Sequence, residues 1–131
     1  MATTKTEGFN EKKGIRVFVG DITEADIVAG TVICNLPDNV YVTKAFIDVT
    51  TVSTTATATV DLKVGSTVIA NECAATALGY AAGTNAPKKF ATGGAITAVV
   101  GAVAPAAGDL VCTVYVEYIE YKTRTGELTV A

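Results

Sequence analysis

The chain has 131 residues, 50% of them hydrophobic, a formal charge of −3, and neither His nor Trp. That length is one ordinary domain, able to bury roughly 65–70% of the surface its unfolded form exposes. The charge leaves no basic footprint for a phosphate backbone, which excludes nucleic acid as a direct partner, and the missing His removes the commonest metal ligand and general base.

The longest apolar stretch, residues 95–107, is interrupted by Thr97, Gly101 and Pro105. It falls short of the ~20 residues of a spanning helix, so no membrane segment is expected. Residues 1–14 lack the apolar run of a secretory signal. Cys34, Cys73 and Cys112 are odd in number, far apart and set among apolar or small residues. This is the pattern of free, shielded thiols in a protein assembled in a reducing compartment.

In chain order, residues 1–14 are polar and charged around a single aromatic, Phe9. They read as an N-terminal arm ahead of a single domain over residues 15–131, either loose or held by a neighbouring subunit through Phe9 and its backbone. Residues 15–19 (IRVFV) read as a short strand. Asp21, Glu24 and Asp26 follow; they could coordinate a hard cation through oxygen, but they lack the spacing of a calcium loop, and a solvated turn accounts for them. Residues 31–36 are a second strand, closed by the turn Pro37-Asp38-Asn39.

Residues 40–54 form a long strand, with Tyr41, Thr43, Ala45, Ile47 and Val49 assigned to one face and Val40, Val42, Lys44, Phe46 and Asp48 to the other. Large apolar groups then occupy both faces, so this strand is expected to be central or to meet another chain. Over residues 56–64, Ala56, Ala58, Val60, Leu62 and Val64 alternate with Thr57, Thr59, Asp61 and Lys63, a half-buried strand. Gly65-Ser66 suits a type II′ hairpin with Gly at positive φ, returning residues 67–71 antiparallel. Residues 72–94 are small and Gly/Ala-rich and fit neither period; a loop is expected, with at most one helical turn over 74–78. Residues 95–100 are a strand and 101–108 a Pro-containing connection.

The chain is organised around residues 108–121, GDLVCTVYVEYIEY. Leu110, Cys112, Val114, Val116 and Tyr118 share an apolar face, and Val111, Thr113, Tyr115, Glu117, Ile119 and Tyr121 a mixed one. About seven or eight strands spaced by turn signals, with almost no helix, predict an all-β fold. Unequal strand lengths and the long 72–94 connection favour a two-sheet antiparallel β-sandwich, jelly-roll-like, over an up-and-down barrel. Helix is expected to stay under about a tenth of the chain.

Little in the sequence speaks for catalysis. Ser53 and Ser66 have no His partner in the chain, so a Ser-His or Cys-His nucleophile is excluded. Glu117 and Glu120 fall on opposite faces of their strand, and Asp48 and Asp61 have no evident pocket for paired-carboxylate chemistry. The glycines of 79–83 and 93–94 lack the Lys and following helix of a phosphate cradle. No cofactor and no enzyme activity are expected. Tyr115, Ile119 and Tyr121 beside Glu117 instead offer contact area with polar handles, as interfaces do.

The run YVTKAFIDVTTVSTTATATVDLKVGSTVIANE, then the loose Gly/Ala segment, then GDLVCTVYVEYIEY, resembles small structural proteins of tailed-phage virions, of the head-decoration (cement) or head-fibre type. That resemblance covers roughly residues 40–121 in overall texture. It implies a non-enzymatic homo-oligomer, most often a trimer, that is assembled in the host cytoplasm, binds the major capsid protein and stabilises the outer surface of the head. Phe9, Lys12 and Lys13 of the arm, with Tyr115, Glu117, Ile119 and Tyr121, are the candidate interface residues. The alternatives are a tail or baseplate protein, and a small ligand- or carbohydrate-binding module, for which aromatic platforms are sparse.

Overall fold

The period-two runs become nine strands in two antiparallel sheets packed face to face. A computed structural model describes residues 16–121; of these, 59% are strand and 6% helix. In order they are β1 (Arg16–Thr23), the helix α1 (Glu24–Ala29), β2 (Val32–Leu36), β3 (Val40–Thr51), β4 (Thr59–Val64), β5 (Thr67–Ala74), β6 (Gly79–Ala81), β7 (Lys88–Phe90), β8 (Gly94–Val100) and β9 (Val111–Glu120). The arm assigned to residues 1–14 lies outside the described residues.

One sheet runs β1-β9-β3, with β6 and β7 both on the far edge of β3; the other runs β2-β8-β4-β5. The pairings nest: β1 with β9, β2 with β8, β3 with β6 and β7, and β4 with β5. β9 is hydrogen-bonded on both sides, to β1 and to β3. It therefore takes the place in the sheet that its clean alternation suits. Its buried Cys112, Val114 and Val116, with Leu110 just before it, join Val60, Leu62, Ile69 and Ile96 of the other sheet in one core cluster. The three thiols are free; Cys73 and Cys112 are buried and Cys34 half-buried. Burial pushes the Cys73 and Cys112 thiols up to about 12, which keeps them protonated and inert at neutral pH.

The two faces of β3 are not as simple alternation assigns them. A bulge between Val42 and Lys44 puts Thr43 and Lys44 opposite the single residue Glu117, and one extra residue inverts the facing of everything beyond it. Val40 and Val42 before the bulge and Ala45, Ile47 and Val49 after it are all buried on the core side. The aliphatic residues assigned to two faces thus share one continuous core face, and Tyr41 and Phe46 are the large groups left on the other. Thr43 Oγ1 donates to Glu117 Oε1 at 2.9 Å, so the bulge is filled by its own side chain.

Other boundaries shift for local reasons. β4 begins at Thr59, not at Ala56, because Thr57 sits at φ +67 in a turn. β5 runs on to Ala74 through a bulged Glu72 at φ +59, whose N–H donates to Asp61 Oδ1 at 2.7 Å. Gly65 at φ +59 makes the expected hairpin. Residues 74–78 form no helical turn; the 72–94 segment instead carries the short strands β6 and β7. The helix lies where a solvated turn was read. Thr23 and Asp26 close a capping box, Glu24 and Asp26 occupy its first turn, and Gly30 ends it at φ +67. The three acids therefore have structural employment: Asp21 Oδ1 accepts from Thr113 Oγ1 at 2.8 Å, and Glu24 Oε1 accepts from the Gly108 N–H at 2.8 Å.

Beyond β3, Asp109 Oδ2 accepts from Ser53 Oγ at 2.7 Å and from the Thr54 N–H at 2.6 Å, tying that strand's exit to the entry of β9. The Ser53 hydroxyl, with the Thr54 amide, holds the Asp109 carboxyl below its ordinary value of 3.8. A depressed folded-state value stabilises the fold above the unfolded value and ceases to do so as the pH falls through the folded one. Wild type should therefore melt above Asp109→Asn at neutral pH, and the gap should close under acid below 3.8. A gap independent of pH in paired thermal melts would show that the carboxylate charge has no part in the latch.

Candidate functional site

The outer face of the β1-β9-β3 sheet is the surface richest in exposed aromatic and apolar side chains. The alternation that buries Cys112, Val114 and Val116 of β9 turns Thr113, Tyr115, Glu117 and Ile119 outward. The β3 bulge then turns Lys44, Phe46 and Asp48 outward beside them, so Phe46 lies opposite Tyr115 and Lys44 opposite Glu117. On the other flank, Val19 of β1 is opposite Tyr115 and Val17 opposite Glu117.

Phe46 is the middle of an aromatic stripe across three strands. Its ring stacks on Tyr115, with centroids 4.9 Å apart and planes 10° from parallel, and meets Tyr80 of β6 at 4.8 Å in a tilted arrangement. Such pairs add ~0.5–1.5 kcal/mol beyond the area they bury, and they hold the rings in fixed orientation. Further along, Tyr41 lies opposite Ile119 on β9 and opposite Lys89 on β7, and Lys89 Nζ sits 4.9 Å above the Tyr121 ring. Tyr80 is 64% exposed, Val19 51%, Val17 50% and Tyr41 38%, so the stripe and its flanks are available for contact.

Of the residues singled out in the sequence, Tyr115, Glu117, Ile119 and Tyr121 come together along one strand and its exit, while Phe9, Lys12 and Lys13 lie outside the described residues. Glu117 has a second task, accepting the Thr43 hydroxyl in the bulge. Sequence reasoning missed Phe46 as Tyr115's partner, and Tyr41, Tyr80, Val17, Val19 and Lys89 as members of the face. An alternation count restarted at Thr43 finds Phe46; Tyr80 carries no local signal, because β6 exists only by pairing with β3.

In register, the Phe46–Tyr115 row lies between Lys44 and Glu117 on one side and Asp48 and Asp21 on the other, so the face presents rigid aromatic area flanked by charges of both signs. That arrangement suits recognition of a protein surface, with aromatic anchors at the centre and polar groups at the rim. Among the described residues, no group of three His, Cys, Asp or Glu could hold a metal ion, and no helix is long and apolar enough to cross a membrane. The chain matches no family, no curated protein and no solved structure.

Proposed function

We propose that the protein is a non-enzymatic structural component of a tailed-phage virion, a homo-oligomer that decorates the outer surface of the head and stabilises it against disassembly. The observation that carries this reading is the Tyr80-Phe46-Tyr115 stripe on the outer face of a sheet whose other face is already packed. Exposed aromatic area ordered in this way contributes to association, since its rotamers are already restricted before a partner arrives. The nested strand pairing supports reading the sandwich as a jelly roll, an architecture used by viral capsid and lectin domains. A trimer is the assembly that the resemblance favours, with Tyr115, Ile119 and Tyr121 near its contacts and the major capsid protein beneath. The arm bearing Phe9, Lys12 and Lys13 reaches a capsid subunit or a neighbouring protomer, and the basic part of its contribution weakens with salt.

The test titrates purified heads lacking the protein with the full-length chain and counts bound copies per head. Anchor residues of this kind are worth ~2 kcal/mol or more when truncated, so Tyr80→Ser combined with Tyr115→Ser should weaken head binding by about 30-fold or more while the far-UV spectrum stays that of a β protein. Deleting residues 1–13 should lower occupancy separately. Copurification of the full-length chain with tails and never with heads would assign it to the tail or baseplate instead.

A further inference from the structure

The four sheet edges are treated unequally. β6 and β7 are three residues each. β2 is interrupted by a register shift between Val32 and Cys34. β5 is bulged, and the Asn71–Thr84 bridge covers part of its edge with two backbone hydrogen bonds of 2.9 Å. Short strands, bulges and covering loops are the usual ways of blocking strand addition. Among the described residues β1 has none of them: its eight residues, RVFVGDIT, pair with β9 without a shift and contain neither Pro nor Lys. One row of its backbone N–H and C=O groups faces away from β9 with no strand beside it among the described residues, flanked by the exposed Val17 and Val19.

We propose that this edge pairs with β1 of a second copy of the chain, antiparallel across a two-fold axis, joining two five-stranded sheets into one. Same-face pairing about a two-fold places its centre on a residue, and the residues in the middle of the strand are Phe18, Val19 and Gly20. Centring on Val19 would set Val17 against Asp21, and centring on Gly20 would set Val19 against Asp21, in each case an apolar group against a charge. Centring on Phe18 sets Val17 against Val19 of the other copy, twice, and so covers the exposed valines of both chains with one another. It also sets Arg16 opposite Gly20 of the other copy, so no like charges oppose. On the core side, Phe18 borders an open groove of about 380 Å³ that Ile22, Val32 and Ile33 also line. The approaching Phe18 of the second copy closes that groove from the edge. Gly20 is required there, since a Cβ would meet Ile33 Cγ2 at 2.6 Å and the Phe18 ring at 3.0 Å. The contact is isologous and closes on itself, which stops the edge from recruiting further chains.

Cross-linking in a Cys34→Ser background tests both the pairing and its register, without heads. Val17→Cys and Val19→Cys chains, mixed and mildly oxidised, should give a disulfide-linked species of twice 13.4 kDa, and each variant alone should not. Independently, because a two-fold contact joins the proposed trimers in pairs, Val19→Lys should halve the mass of the assembly in sedimentation equilibrium, from six copies to three, without altering the far-UV spectrum. Equal linking of Val19→Cys alone would overturn the register. An unchanged mass for Val19→Lys would overturn the pairing. So would protection of the β1 amides from hydrogen exchange only after heads are added, an outcome that assigns the edge to a capsid strand.

Discussion

Leu62→Ala is expected to lower the unfolding free energy by about 2–5 kcal/mol, toward the upper part of the range for a leucine deleted from a core. Leu62 has no exposed surface, and its strand β4 lies inside the four-stranded sheet between β8 and β5. Its cross-strand neighbours are Ala98 on β8 and Ala70 on β5. The leucine alone supplies bulk at that level of the sheet, and truncation would leave three alanines abreast. Two alanine methyls on hydrogen-bonded strands cannot move in to refill the space, so the cavity term persists in full. Against a usual total of ~5–15 kcal/mol, the loss is a large fraction of the fold's stability. The measurement is the guanidinium midpoint at constant slope. A loss below about 1 kcal/mol would mean that the sheets collapse onto the site more freely than their packing allows.

The second large effect separates two adjacent glycines at the start of β8. A Cβ on Gly93 would fall against the Leu36 carbonyl oxygen and within 2.7 Å of the Pro37 carbonyl group. These are backbone atoms, and the Gly93 N–H also donates to Asp38 Oδ1 at 2.7 Å, so the loop cannot retreat without breaking that bond. Gly93→Ala should therefore destabilise by at least about 1–3 kcal/mol, as overpacking against unyielding neighbours does. A Cβ on Gly94 meets nothing closer than Val64 Cγ1 at 3.5 Å. Gly94→Ala should be neutral, or stabilising by ~0.4–1 kcal/mol through the lost entropy of the unfolded chain. Parallel thermal melts of the two variants check the contrast; equal shifts would contradict the close approach of the two connections.

Half of the interaction face was legible from residues alone. Tyr115, Glu117, Ile119 and Tyr121 needed only the period of a strand whose inner positions are uniformly apolar. Phe46 was within reach but assigned without its partner, because alternation counted through a bulge gives the wrong face from that point onward. Tyr80 and Lys89 were out of reach, since strands of three residues have no periodicity of their own and persist only because β3 offers an unpaired edge.

By itself, the sequence determined the all-β class, the strand that both neighbours in its sheet share, and the Gly65-Ser66 reversal, because each follows from side-chain period or from the φ preference of a single residue. Tertiary structure alone decided that Val40, Val42, Ala45, Ile47 and Val49 share one core face, that Phe46 stacks on Tyr115, and that β1 forms an edge of its sheet among the described residues. Those outcomes depend on which strands meet across the chain: the bulge at Thr43 forms against Glu117, 74 residues away, and no local preference specifies a contact between groups so far apart.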